Sequence, residues 1–347
     1  MGQTILPANI ELDAGERTFA SGLLLDLLGA LARTKAGDLI ALVTKHADAV
    51  EADLDAWSRL TGHSVVSRTE DAGGTRWVIR HGAARDVSGE SLRGTRLWLY
   101  VNFDCNLQCD YCCVRASPTA SRRALGIDRV RRIAAEAPTL GVREFFVTGG
   151  EPFLLSDIDT IVLALAEAAP VTVLTNGMLF RGRRLAALRR LPRDRVTLQI
   201  SLDSAEPELH DRHRGRGAWQ RTVDGVDIAR REGFRVRLAA TVATDEDEQR
   251  FRAFLDERGV AAGDRVIRRI ALRGFATEGV ALSRRDLVPE ITVTADGVYW
   301  HPVGAEDDDL LVSRELFPLS AAFDAVRAQA AREEEHAGRL AKIFVCA

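Results

Sequence analysis

At 347 residues the chain is long enough for two or three domains. Hydrophobic residues make up 46% and charged residues 28%, as in a folded globular protein, and a net charge of −3 argues against a non-specific nucleic-acid binder. No apolar run approaches the length of a membrane span. The N-terminus lacks a basic region followed by an apolar core, so neither membrane nor secretory signal is expected and the expected location is cytoplasmic.

In chain order, residues 10–13 alternate as a short strand, and Ser21 caps a helix bearing Leu23, Leu24, Leu27, Leu28 and Leu31 at helical spacing. A strand at 39–44, a helix at 49–60 and two strands around a turn at 71–74 follow. The order is βαβαββ, a small two-layer unit. That order, with Leu12 to Ala14, the Lys35, Gly37 and Asp38 turn, Trp57, Thr61 to His63 and the closing run from Trp77, resembles the TusA-like sulfur-carrier fold. The resemblance implies a persulfide-bearing Cys in a Cys-Pro-x-Pro motif at the first helix. Phe19, Ala20, Ser21 and Gly22 stand there instead, and no Cys precedes Cys105. A persulfide needs a thiol, so sulfur carriage is excluded and residues 1–82 are expected to serve as a structural cap or docking module, with His63 structural. Residues 83–94, rich in Gly, Ser, Arg and Asp, read as a linker.

The chemistry-bearing stretch follows a predicted strand at 96–102. Cys105, Cys109 and Cys112 are three of the chain's 5 cysteines, spaced C-x3-C-x2-C. Without an export signal such a cluster points to metal or redox work. Zinc sites usually take four ligands in paired motifs; no partner pair follows. Three thiolates without a fourth suit a [4Fe-4S] cluster with one open iron. With Tyr111 just before the third Cys, the motif resembles that of the radical S-adenosylmethionine (SAM) enzymes.

Downstream, strands predicted at 143–148, 170–175, 195–202, 235–242 and 265–272 alternate with helices near 127–138, 156–168, 181–190, 218–232 and 246–258. Six β/α units match the partial (β/α)6 TIM-type barrel of that family, residues 95–275, whose chemistry lies at the C-terminal strand ends. The resemblance implies that Gly149, Gly150 and Glu151 bind the methionine ammonium, the glycines allowing close backbone approach. It implies that Asn176 lines the pocket, that Ser201 and Asp203 reach the ribose, and that Arg214, in a basic loop over 210–219, pairs with the methionine carboxylate or a substrate anion.

Residues 276–347 read as a hairpin with an Asp296-Gly297 turn and then a helix, similar to the SPASM or twitch extensions of radical SAM enzymes. His301 stands where such extensions place an auxiliary-cluster Cys. Only Cys346 lies beyond it, and one thiol cannot hold a [4Fe-4S] cluster. A degenerate extension and a single cluster are expected. Cys113 is either a packing residue or a hydrogen-atom donor to a substrate radical; Cys346 is expected to be inert.

The resemblance implies reductive cleavage of SAM to a 5'-deoxyadenosyl radical that takes hydrogen from a peptide or small-molecule substrate, with a flavodoxin- or ferredoxin-type reductant. A redox-neutral outcome such as epimerisation is favoured. The alternatives are a non-enzymatic Fe-S electron-transfer or sensor protein, which needs no SAM pocket, and a sulfur-relay protein, which needs the missing carrier Cys.

Overall fold

A computed structural model describes residues 7–15, 17, 23–31, 33–35, 37–61, 63–71, 73–82 and 95–337. Phe19 to Gly22, the whole of the predicted linker and Cys346 lie outside the described residues. The chain divides into two compact units, Met1–Leu92 and Arg93–Ala347.

The first unit has the elements β1 (Ile10–Gly15), α1 (Leu23–Leu31), β2 (Leu39–Thr44), α2 (Ala47–Thr61), β3 (Ser64–Asp71) and β4 (Gly74–Arg80). Its sheet runs β1-β2-β4-β3, with β1 parallel to β2 and the other pairs antiparallel. Leu23, Leu27, Val50, Leu54 and Trp57 project from the two helices onto Leu42, Trp77 and Ile79 of the sheet, the helical and strand periods meeting in one core. His63 is placed within that unit: its Nδ1 accepts the Gly82 N–H at 3.2 Å and its ring packs at 5.0 Å from Trp57.

The second unit opens with β5 (Arg96–Tyr100) and continues through α3 (Ile127–Glu136), β6 (Glu144–Thr148), α4 (Ile158–Ala168), β7 (Val171–Thr175), α5 (Gly182–Arg190) and β8 (Val196–Ser201). Two helices, α6 (Pro207–Arg214) and α7 (Ala218–Arg231), precede β9 (Arg235–Val242), then α8 (Asp245–Glu257) and β10 (Arg265–Arg269). β5 to β10 are parallel neighbours in sequence order, the sheet expected of the partial barrel. Their apolar runs are buried on both faces because the crossover helices cover one face and the other closes inward. α8 starts on a capping box in which Thr244 Oγ1 accepts the Asp247 N–H at 3.1 Å.

One feature corrects the sequence expectations. The first half of the predicted basic loop, 210–214, is the end of the helix α6, opened by Pro207 and closed by Gly215 at φ 99°, and its last two residues begin α7. The C-terminal region belongs to the second unit. Its strands β11 (Thr292–Val293), β12 (Val298–Tyr299) and β13 (Leu311–Ser313) extend the same 9-stranded sheet, β11 lying parallel beside β5. The hairpin around Asp296 and Gly297 is present as β11 and β12, and α9 (Leu319–Ala337) follows it. Among the described residues no helix is long and apolar enough to cross a membrane.

Candidate functional site

The parallel strands all deliver their C-terminal ends to one cavity. Cys105, Cys109, Cys112 and Cys113 line it from the loop after β5, Thr148, Gly149 and Gly150 from the end of β6, and Asn176 and Ser201 from the ends of β7 and β8. Thr241, Arg268 and Arg269 complete it from β9 and β10, while Pro302 and Val303 reach in from the C-terminal extension. Residues spread over 200 positions of sequence thus meet because a parallel sheet places equivalent strand ends side by side.

The cysteine loop is pinned by its own backbone. The Cys105 N–H donates to the Ser117 carbonyl at 3.1 Å, and the Leu107 and Ala116 N–H groups point at the sulfurs of Cys105 and Cys112, each at 3.4 Å. Burial pushes the Cys109 thiol up to about 11 and that of Cys105 higher still, so both are protonated at neutral pH until a metal displaces the proton. Among the described residues no three His, Cys, Asp or Glu side chains converge as ligands of one ion. A [4Fe-4S] cluster does not ask that of its ligands: each thiolate binds a different iron, so the sulfurs stand around the cluster rather than at one point. Three soft donors on one loop, facing one cavity with N–H groups directed at two of them, fit such a cluster.

Gly149 and Gly150 are required by packing within the chain itself. A Cβ on Gly149 would meet Asn102 Oδ1 at 2.2 Å, and one on Gly150 would meet the Asp104 carbonyl oxygen at 2.2 Å. The glycines let the end of β6 lie against the root of the cysteine loop, where Gly150 and Glu151 N–H groups donate to Asn102 and Asp104 at 3.1 and 3.0 Å. Glu151 is wholly buried, and its carboxylate accepts from Phe153 N–H, Thr175 Oγ1 and Asn176 N–H at 2.8–3.0 Å. It therefore ties β6 to β7 instead of facing the cavity with a free carboxylate.

Asp203 and Arg214 are likewise turned onto each other. Arg214 Nε and Nη2 donate to Asp203 at 2.5 and 3.1 Å, Tyr111 donates its hydroxyl to the same carboxylate, and Thr241 N–H donates at 3.1 Å. Burial opposes ionisation of Asp203, but the Arg214 charge outweighs it and holds the carboxyl below its usual range. Both carboxylate oxygens of Asp203 are thus engaged by protein groups. Arg214 still lines the cavity, with its guanidinium 5.6 Å from the Tyr111 ring centre, but its charge is matched by Asp203. Asn176 bridges the cavity wall to the loop by donating to Asn106 at 2.9 Å.

Sequence reasoning missed several residues of this site. Gly274, at φ +66°, lies so close to the loop that a Cβ would meet the Cys112 carbonyl oxygen at 2.1 Å, and the next residue, Phe275, donates its N–H to that oxygen at 2.9 Å. Tyr100 donates its hydroxyl to the Pro302 carbonyl at 2.8 Å and hydrogen-bonds the Cys113 thiol. Thr241, Arg268 and Arg269 carried no motif; only their place at strand ends marks them. His301 is completely buried at the start of a short 3-10 turn, its Nδ1 accepting the Val303 N–H at 3.2 Å.

Comparison with known proteins agrees with this architecture. Residues 99–257 match the model of the Radical SAM superfamily. A probable GTP 3',8-cyclase of Aeropyrum pernix is 30% identical over 173 residues, 48% of this chain and 47% of that protein. The antilisterial bacteriocin subtilosin biosynthesis protein AlbA of Bacillus subtilis is 33% identical over 140 residues, 40% of this chain and 31% of that protein. The chain thus spans about half the length, or less, of these relatives. The solved structure of native anSMEcpe with bound AdoMet superposes with a TM-score of 0.52 at 13% identity, covering 67% of this chain and 82% of that one, which shows a shared fold. Radical SAM domains work with a [4Fe-4S] cluster and SAM, and the stretch that matches them carries the cysteine loop and most of the barrel of this chain.

Proposed function

We propose that the chain is a radical SAM enzyme in which Cys105, Cys109 and Cys112 hold a single [4Fe-4S] cluster. The observation that carries this is the meeting of those three thiols with Gly149, Gly150, Asn176 and Ser201 in one cavity at the C-terminal strand ends of a radical SAM domain. With SAM bound and one electron supplied, the cluster provides a 5'-deoxyadenosyl radical. The chain's residues bind, orient and shield. Backbone groups at Gly149 and Gly150 would hold the amino acid end of SAM, and the Ser201 and Thr241 hydroxyls would hold its ribose. Tyr111, fixed by Asp203 and Arg214, covers the loop. Trp98, Leu107, Val114, Leu174, Ala271 and Val303 give the cavity an apolar lining that keeps water from a radical.

Cys113 is assigned as the hydrogen-atom donor. Its S–H bond would break as a C–H bond forms on the substrate radical, and the resulting thiyl needs one electron and one proton for the next turnover. A flavodoxin- or ferredoxin-type reductant supplies electrons. The substrate is a peptide or a small molecule. Relatives named for a GTP cyclisation and for bacteriocin biosynthesis make a nucleotide and a peptide the two classes to test. The first unit, without a thiol in its sequence, is assigned to substrate or partner recognition, and the outcome to a redox-neutral modification.

The test is anaerobic reconstitution followed by iron analysis and assay of 5'-deoxyadenosine from SAM under dithionite. About four irons per chain, as for one [4Fe-4S] centre, and SAM cleavage are expected. Loss of both in Cys105→Ala, Cys109→Ala and Cys112→Ala supports the assignment. A triple variant that still cleaves SAM refutes it.

A further inference from the structure

We propose that the turn at 304–309 is an acidic clasp on the cysteine loop and that Glu306 is its positioning residue; this rests on the cluster assignment above. The starting observation is Arg115. It lies three residues beyond Cys112 and is, among the described residues, the non-glycine residue with a positive φ, 48°. That conformation crowds a Cβ and persists only where the surroundings fix it. Its neighbour Ala116 directs an N–H at the Cys112 sulfur at 3.4 Å, so the backbone at this point sets the position of a ligand.

What fixes Arg115 comes from the C-terminal extension. Arg115 Nη1 donates to Glu306 at 2.9 Å and lies 3.5 Å from Asp307. The second Glu306 oxygen accepts from Arg123 at 3.0 Å, farther along the same loop. Arg123 is itself fixed by Asp296 at 2.7 Å and stacks 3.8 Å over Phe103, at the loop's root. One carboxylate therefore joins the outgoing arm of the cysteine loop at two points. An isolated exposed ion pair contributes little. Glu306 is different in being only 13% exposed and in using both oxygens.

The clasp has a second jaw. Asp307 accepts from Arg273 at 2.8 Å, and Arg273 also donates to Asp309 and to the Leu282 carbonyl at 2.8 and 2.6 Å. Gly274, next in sequence, is the residue packed against the Cys112 carbonyl. A turn of the extension thus ties the loop after β5 to the loop after β10, the first and last strands of the barrel proper, on either side of Cys112. Glu306 lines no part of the cavity, so its effect reaches the cluster only through the loop.

The experiment uses the anaerobically reconstituted full chain and follows iron transfer to a chelator by loss of cluster absorbance, with the EPR spectrum of the reduced form as a second readout. Glu306→Gln, which keeps shape and loses charge, should load iron as wild type does, release it about ten-fold faster, the lower end of what outer-shell changes cost a metal site, and show a shifted EPR signal. Arg115→Gly should also release faster even though glycine is at ease at φ 48°; slower release would mean that strain, not the clasp, governs the loop. Asp324→Asn, which breaks an exposed pair with Arg327 in α9, away from the turn, should leave both readouts unchanged. Wild type without iron sinks the cluster assignment itself. Loaded wild type with Glu306→Gln indistinguishable from it sinks the clasp alone.

Discussion

Asp203 and Arg214 form a buried bidentate pair directly behind Tyr111, the aromatic residue of the cysteine motif. The side chains are 2% and 9% exposed, so neither charge has water to fall back on. Removing one partner leaves the other charge buried and uncompensated, at a cost of about 3–5 kcal/mol. Asp203→Asn should lower the denaturant midpoint accordingly, with less iron retained as Tyr111 loses its acceptor. A variant with wild-type stability would show that Arg214 has another anion to pair with.

The glycines at the end of β6 give a sharper test, because the clash is with backbone. An added methyl at Gly150 would meet the Asp104 carbonyl at 2.2 Å, and Asp104 precedes the first cluster cysteine. Gly150→Ala should therefore lose most of its iron while the helices and strands of the barrel persist by circular dichroism. Gly29, in α1, meets nothing within 4 Å, and Gly29→Ala should leave iron unchanged and stabilise the first unit by about 0.5–1 kcal/mol. Full iron loading of Gly150→Ala would refute the close packing of β6 on the loop.

How far these relationships were legible follows from their range. The strands of the barrel were readable because each is a short apolar run between amphipathic helices. The helix α6 was not found by periodicity, since it carries no apolar stripe. Its end signals were nevertheless present: Pro207 and Glu208 in the first turn, Arg212, His213 and Arg214 in the last, and Gly215 after it. The protein partners of Glu151, Asp203 and Arg214 were not readable, because a motif names a residue type and not what it touches. Glu151 is satisfied by Asn176 and Thr175, some 25 residues away, and nothing local to Glu151 announces that. The pairing of β11 with β5 joins residues nearly 200 apart, beyond any local pattern.

His301 allows a pH prediction. Burial first, then the nearby Arg273 and Arg268 charges, lower its pKa to about 3, and protonation would also remove the acceptor used by Val303 N–H. An unfolded chain takes up this proton near the ordinary histidine value of 6.5. Stability is therefore full above that pH and falls as pH drops from there towards about 3, with His210, lowered to about 4 by burial, adding to the loss. His301→Gln keeps an acceptor without a titrating ring. It should flatten the pH dependence of unfolding of the second unit by about 1.4 kcal/mol per pH unit. An unchanged slope would mean that His301 is not the titrating group. Iron loss in this variant would overturn the single-cluster assignment.

Cys112 and Cys113 are adjacent thiols that the structure separates chemically. Burial pushes the Cys112 thiol up, but N–H groups of Val114 and Ala116 are directed at its sulfur and counter that rise. Cys113 instead hydrogen-bonds the Tyr100 hydroxyl and is pushed up to about 12 by burial, the neighbouring Cys112 adding to the effect. It remains an S–H at neutral pH, and a hydrogen-atom donor must carry that hydrogen. Cys113→Ala should therefore retain about four irons, as for a single [4Fe-4S] centre, and still form 5'-deoxyadenosine. It should also fail to place solvent deuterium on the substrate when turnover is run in D2O. Cys112→Ala should lose the cluster and cleave no SAM. Loss of iron from Cys113→Ala would move the ligand assignment by one residue, and undiminished deuterium transfer in that variant would return Cys113 to a packing role beside Tyr100.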